Sequence, residues 1–360
     1  MKWGKYSRCR GFRSFLWCLS KVYEFGARLH RFVYEKGWKS RRRLGCVVVS
    51  IGNISVGGSA KTPLVLEVSK RLAAKGLRIC VASRGYGRLG SRQVEVVSDG
   101  AHTIDGWSKA GDEPFLISKS LPTVPVVVGR DRGVAGATAL SLFGTEVLIL
   151  DDGFQHHRLA RDLDLVAIDA DAGLEHSELL PLGRLREPVE ALAHADAFVI
   201  VDGELRPSEL LKLDIFAPGK PKFRANREPR RLFRLSGGVP RSLSSLKDKE
   251  VGLLCGIARP SSFKLTVESL GAKVVATKFY PDHHKYVGDN LRNLADQAPF
   301  WVTTEKDAVK LDPTWLPNLQ VLGIDLVLSE PFRFEEFLSG IVEEAISLRS
   351  FRQGKREHGV

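Results

Sequence analysis

Cysteine is scarce and scattered. Cys9, Cys18, Cys46, Cys80 and Cys255 form no C-x-x-C pair, so neither a disulfide framework nor a thiolate zinc site is suggested. A reducing cytosol suits such a chain. No stretch reaches about 18 continuous apolar residues, which argues against a membrane-spanning helix. The zinc-protease pattern H-E-x-x-H is missing, and so is the G-x-S-x-G elbow of a Ser–His–Asp hydrolase. Acids are nearly absent from the first 43 residues, where Glu24 and Glu35 face 13 Lys and Arg. Since the net charge of the whole chain is +12, the remainder is close to neutral.

That same basic segment is rich in rings. It holds ten of the chain's 30 aromatics, among them Trp3, Tyr6, Phe12, Phe15, Trp17, Phe25 and Trp38. Basic residues alternating with Trp and Phe suit a helix lying on an anionic membrane surface. Two other readings stay open: an amphipathic helix packed on its own domain, and a nucleic-acid contact. A secretory signal is not expected, because FLWCL is too short for an h-region and no small-residue cleavage site follows it.

After residue 43 short apolar strands alternate with helical spacing. CVVVSIGN, LRICVAS, VPVVVG, TEVLILDDG, LDLVAIDA and DAFVIV read as buried strands, and TPLVLEVSKRLAAKG as a helix between the first two. This is the pattern of a mostly parallel sheet covered on both faces. The texture turns rich in Pro and charge near residue 205, and a second α/β pattern follows. KFRANREPRRLFRL and LQVLGIDLVL, at the two ends of that second unit, are expected to pair as a connector.

SVGGSAKT, Ser55 to Thr62, follows the first strand and resembles a phosphate-binding loop with Ser55 and Ala60 at the two glycine positions. Gly57 and Gly58 supply permissive backbone. Lys61 can reach outer phosphates and Thr62 a magnesium ion, and Val56 and Ser59 complete the loop. A methyl group at residue 60 disfavours positive φ, so the site is expected to survive only if residue 60 already has helical angles, which its place at the helix start favours. Asp151 and Asp152 end the strand TEVLILDD, where an α/β sheet presents acids to a metal held with phosphates. Loop and acids together favour an ATP-type site, although a pair of acids after a strand is also an ordinary solvated turn.

Further polar clusters close other strands: Arg84 and Arg88 in SRGYGR, Asp112 in GDEP, Arg130 and Arg132 in GRDR, Gln155, His156 and His157 in DGFQHHR, and Arg184, Arg186 and Glu187 in GRLREP. Asp112 is a candidate base for a substrate hydroxyl. PDHHKY places Asp282, His283 and His284 in a loop of the second half.

Taken in order, IGNISVGGSAKTP, ASRGYGR, GDEP, LILDDGFQHHRLARDLDLVAID, LLPLGRLREP, GIARPSSF, PDHHKY and TTEKDAVKL resemble the tetraacyldisaccharide 4′-kinases of Gram-negative lipid A synthesis. The combination is specific and covers residues 47 to 311. Ser55 is usual in that family, whereas Ala60 stands for a usual glycine, and Glu175 and His176 stand where a Gly-Asn pair is common. The resemblance implies a P-loop NTPase-like domain and a smaller α/β domain hinged by a two-stranded linker. The division expected is a basic amphipathic membrane-surface segment over 1–43, an ATP-binding domain over 44–220, the smaller domain over 221–330, and a helix and tail over 331–360. It implies transfer of the ATP γ-phosphoryl group to the 4′-hydroxyl of a tetraacylated glucosamine disaccharide 1-phosphate, with Mg²⁺ held by Thr62 with Asp151 and Asp152. Asp112 would be the base, polarised by His283 across the hinge when the domains close. Arg84, Arg132, Gln155, Arg186 and Glu187 would contact substrate or phosphate. The enzyme would work peripherally on the cytoplasmic face of the inner membrane, with no nucleic acid and no obligate protein partner. Two competing readings are a nucleic-acid-associated P-loop NTPase and a membrane-binding homologue whose loop has lost its chemistry.

Overall fold

The computed structural model describes residues 10–57, 60–174 and 178–357. Gly58 and Ser59 of the loop, Glu175 and His176, and the opening residues with Trp3 and Tyr6 lie outside the described residues. The chain begins with helix α1 (Arg10–Glu35), β1 (Val47–Gly52), α2 (Lys61–Ala74), β2 (Ile79–Ser83) and β3 (Val94–Ser98). It continues through α3 (Trp107–Ala110), α4 (Asp112–Ser120), β4 (Val126–Gly129), α5 (Arg132–Phe143), β5 (Val147–Asp151) and β6 (Leu163–Asp169). β7 (Ala197–Val201), α6 (Pro207–Phe216) and β8 (Lys222–Arg234) follow, then β9 (Glu250–Cys255), α7 (Pro260–Ser269) and β10 (Lys273–Phe279). β11 (Trp301–Thr304), α8 (Glu305–Ala308), β12 (Leu319–Leu328) and α9 (Pro331–Glu357) complete it.

These elements form two compact units. The first comprises residues 1–84, 129–226 and 328–360, and the second 85–128 and 227–327. The chain therefore passes between them four times: just after β2, within β4, within β8 and at the end of β12, the last two being neighbouring strands in the sheet. Leu235 donates its N–H to the Leu319 carbonyl at 3.1 Å, and Arg231 pairs with Asp325 at 3.0 Å.

In the first unit the strand order is β8-β7-β6-β1-β5-β2, and the pairs along it are parallel. Every residue of β1, β2, β5, β6 and β7 is buried, which is why these strands read as mostly apolar, Val/Ile/Leu-rich runs rather than alternating ones. α2 packs with Leu64, Val65, Val68 and Leu72 inward. α5 starts where the Asp131 carboxylate accepts the N–H groups of Gly133 and Val134, and stops at Gly144 with φ +58°. Register sets Ile51 opposite Asp151, so the chain leaves β1 toward the loop level with the acids that end β5. That is the carboxyl edge, where open parallel sheets bind ligands.

The second unit orders β10-β9-β11-β12. Alternate residues of β9 feed two cores: Val251, Leu253 and Cys255 meet Phe263 and Val267, while Leu254 meets Trp301 and Leu291. The expected α/β class with a mostly parallel sheet is the class observed.

α1 lies on the first unit by one face. Its Ser20 hydroxyl donates to the Leu179 carbonyl, its Tyr23 hydroxyl to the Arg186 carbonyl, and Arg31 to Glu187. The rest of it faces outward: Phe15, Trp17 and Phe25 are 57%, 53% and 68% exposed. No helix among the described residues is long and apolar enough to cross a membrane.

Candidate functional site

The loop after β1 is tied down before it reaches α2. Ser55 bridges Leu185, the Val56 N–H donates to the Arg184 carbonyl at 2.8 Å, and the Arg186 N–H donates to the Ile54 carbonyl at 2.7 Å. Gly57 has φ +106°, and a Cβ there would run into the Arg184 guanidinium; a side chain is excluded on both counts. Lys61 opens α2 and turns back to the sheet edge. Its Nζ donates to Asn53 Oδ1 at 3.0 Å and lies 3.4 Å from Asp152 Oδ1.

Ala60 departs from the angles expected of it. It is the N-cap of α2 at φ 57°, ψ 22°, in the left-handed region. The turn into the helix needs a residue of that hand, so a place at the helix start does not mean helical angles. For an L-residue this conformation costs roughly 1–2 kcal/mol. Glycine would remove that cost and give back roughly 0.5–1 kcal/mol of unfolded-state entropy. Ala60→Gly is therefore expected to stabilise the chain by about 1 kcal/mol. Denaturant unfolding of the two proteins measures it, and a glycine variant of equal or lower stability would count against strain at this position.

Asp152, itself at φ 55°, is the centre of the charged edge. Arg186 grips it with both arms, Nη1 to Oδ2 at 2.8 Å and Nη2 to Oδ1 at 2.7 Å, and also reaches Asn53 Oδ1. Burial alone would raise the Asp152 carboxyl, but the Arg186 hydrogen bonds and the Lys61 charge outweigh it and hold it well below the ordinary range. Asp151 is 2% exposed and accepts from the Ser83 hydroxyl at 2.8 Å. Asp151, Asp152 and Thr62 carry oxygen donors only, the type hard cations prefer. Among the described residues no group of three or more His, Cys, Asp or Glu is placed to hold a metal by itself. An ion here would need further oxygens, which phosphates supply.

Several other residues expected to touch substrate are instead committed internally. Gln155 donates to the Asn53 carbonyl at 2.8 Å. Glu187 is buried, pairing with Arg31 of α1 at 2.6 Å and with His157 Nε2 at 3.1 Å. Arg186 serves Asp152. These are contacts that hold the loop and its acids in place. Arg132 is 5% exposed, and burial pushes its guanidinium down while Asp151 and Asp152 pull it up. Burial also pushes the neighbouring His156 down to about 4, so it is neutral at physiological pH. Arg84 is exposed at the end of β2.

The second unit holds a separate acid–base pair. Gly111 has φ +94°, and a Cβ there would press on the Tyr86 carbonyl, so only glycine can turn the chain into α4. Asp112 follows as the first residue of that helix, where the helix dipole favours a carboxylate. It is 5% exposed, and its Oδ2 lies 2.8 Å from His283 Nδ1. His283 belongs to the turn after β10 at φ 59°. Both residues are in one unit and already in contact, rather than divided between two domains as the sequence suggests. Burial would raise Asp112, but the His283 hydrogen bond and the Lys306 charge more than cancel it and lower the carboxyl. The same hydrogen bond raises His283. Lys306, which the sequence offers as part of TEKD, a poor match to the guanine-reading N-K-x-D of a GTPase switch, touches Glu113 at 3.1 Å, Asp282 at 3.3 Å and His283 Nε2 at 3.4 Å. Its other sequence signal was its place in TTEKDAVKL.

A phosphate-type loop with a lysine and paired acids, together with a buried carboxylate bonded to histidine, is the equipment of a phosphotransferase. Comparison with known proteins narrows this. Residues 12–343 match the family model described as tetraacyldisaccharide-1-P 4′-kinase. A tetraacyldisaccharide 4′-kinase from an Anaeromyxobacter species is 40% identical over 91% of this chain and 90% of its own. Its counterpart from Syntrophus aciditrophicus is 39% identical over 82% and 83%. A crystal structure of LpxK from Aquifex aeolicus in complex with ATP is 33% identical, with a TM-score of 0.75, covering 92% of this chain and 99% of that one. Fold, motif order and relatives agree over nearly the full length, and the chain belongs to the tetraacyldisaccharide-1-P 4′-kinase family.

Proposed function

We propose that this chain transfers the γ-phosphoryl group of ATP to the 4′-hydroxyl of a tetraacylated glucosamine disaccharide 1-phosphate. The observation that carries the reading is the Asp112–His283 hydrogen bond of 2.8 Å, because an alcohol acceptor needs a base and an ionised, buried carboxylate at a helix start is one. The hydroxyl oxygen bonds to the γ-phosphorus, the bond from that phosphorus to the bridging oxygen breaks, the hydroxyl proton passes to Asp112, and ADP leaves. Lys61 neutralises charge on the outer phosphates. Arg186 keeps Asp152 ionised and oriented, and Asn53 holds Lys61 at 3.0 Å. Thr62, Asp151 and Asp152 would hold Mg²⁺, which when bound supplies positive charge to the phosphate oxygens.

The outward face of α1 suits the surface of an anionic membrane, which would place the enzyme peripherally on the cytoplasmic face of the inner membrane, where a lipid acceptor is presented. The experiment supplies [γ-³²P]ATP, Mg²⁺ and the acceptor either in anionic vesicles or in detergent micelles. Wild-type protein is expected to label the lipid in both. A variant with Phe15→Ser, Trp17→Ser and Phe25→Ser is expected to lose at least ten-fold on vesicles and little in micelles, since these side chains are exposed and outside the packed face. No labelled lipid from wild type would reject the reaction, and equal loss in both formats would reject the role of the helix.

A further inference from the structure

TTEKDAVKL, Thr303 to Leu311, folds as the end of β11, the short helix α8 and the turn after it. Asp307 at its centre is fully buried. Its carboxylate accepts from the Gly256 N–H at 3.0 Å, the Tyr286 hydroxyl at 2.9 Å and the Thr304 hydroxyl at 2.8 Å. Three donors satisfy it. Lys310 is nonetheless packed beside it, with Nζ 3.0 Å from Asp307 Oδ1, 5.3 Å from the Tyr286 ring centre, and none of its side chain exposed. Among the described residues this ammonium makes no hydrogen bond.

A buried ammonium with unused N–H groups is costly, and an apolar side chain of the same length would fill the space. The charge that balances Asp307 also faces Asp112. Lys310 Nζ lies 3.9 Å from Asp112 Oδ2, the oxygen already bonded to His283. The other oxygen, Oδ1, accepts the Glu113 N–H at 3.0 Å. His283 and Lys310 therefore both face Oδ2 of the carboxylate.

We propose that Lys310 is a positioning residue for the transfer step, holding Asp112 ionised with Oδ2 turned to His283, so that Oδ1 takes the substrate proton. The inference rests on the reading of Asp112 as the base. The charges facing Asp112 are Glu113 on its own helix, Lys306 and Asp307 of α8, Lys310 beyond it, and Asp282 and His283 of the turn after β10.

Lys310→Met removes the charge at nearly constant length. Its acid limb in the pH profile of kcat/KM is expected to rise by about one unit, with the loss confined to acid solution, because Asp112 stays ionised at neutral pH in both proteins, and with the KM for ATP unchanged. An unmoved acid limb overturns the proposal. The substitution leaves Asp307 without its cation, so if that variant does not fold, Asp307→Asn combined with Lys310→Met removes both charges. Titration of the Asp112 carboxyl carbon by NMR reads the same quantity without substrate, and equal titration in wild type and variant overturns the idea. Should neither variant fold, wild-type Asp112 titrating at or above the ordinary aspartate value of 3.8 overturns it as well. A wild-type protein that labels no lipid would reject the kinase reading and the transfer step with it, whereas a labelling wild type with equal Asp112 titration in the variant would reject the role of Lys310 alone.

Discussion

Asp112→Asn is expected to lower kcat for lipid phosphorylation about 10³-fold while leaving the KM for ATP nearly unchanged. Asparagine keeps the shape of the side chain and accepts no proton in the working range, so the substitution removes the proposed base and little else. The sign of the pH effect follows from the site. His283, Lys306 and Lys310 hold the Asp112 carboxyl below its ordinary value against the opposing effect of burial. The base form is therefore complete at neutral pH and is lost only in more acid solution than a free aspartate would require. The partner reports the loss independently. His283 is raised first of all by its hydrogen bond to Asp112, so its NMR titration should fall toward the ordinary 6.5 in the variant. A variant that keeps kcat within ten-fold, with His283 titrating as before, would take Asp112 out of the chemistry.

Lys61→Ala is expected to cost about 10³-fold in kcat/KM for ATP, and to abolish any slow ATP hydrolysis in the absence of lipid. The contrast with the first variant is diagnostic: one loses the acceptor's base, the other the charge that meets the donor's phosphates. The fold should survive, because Asp152 keeps both hydrogen bonds from Arg186 when Lys61 is gone. Circular dichroism and the unfolding midpoint check this. Near-normal kcat/KM in Lys61→Ala would mean that the phosphates are gripped by other groups.

The elements nearest to a local pattern were the easiest to read. VVVSIG, VLILD and AFVIV are unbroken apolar runs and are fully buried strands, and the loop, the paired acids and the GDEP and PDHH turns stood out as polar groups at strand ends. Three things were hidden. Ala60 looked helical because it precedes a helix, but the hand of the incoming turn decides its φ. Arg186 and Glu187 looked like substrate contacts because conspicuous charges after a strand invite that reading. Their partners, Asp152 and Arg31, lie 34 and 156 residues away in the chain, and no window of sequence shows them. The same holds for Lys310, whose spacing from Asp307 marks a helical turn and says nothing of Asp112. Lastly, residues 85–128 join 227–327 in one unit, a grouping that a linear scan for changes of texture divides.

α1 shows what kind of attachment this helix is. Arg31 and Glu187 are 10% and 5% exposed at a separation of 2.6 Å, and Glu187 adjoins the arginine that grips Asp152. A chain trimmed of its greasy opening to ease handling would take the Arg31 partner from Glu187, leave that carboxylate with His157, and loosen the support of the phosphate loop. A tractable form of the enzyme is better made by repainting the outward rings than by cutting, because the helix that carries them is also a wall of the unit that holds the phosphate-type loop.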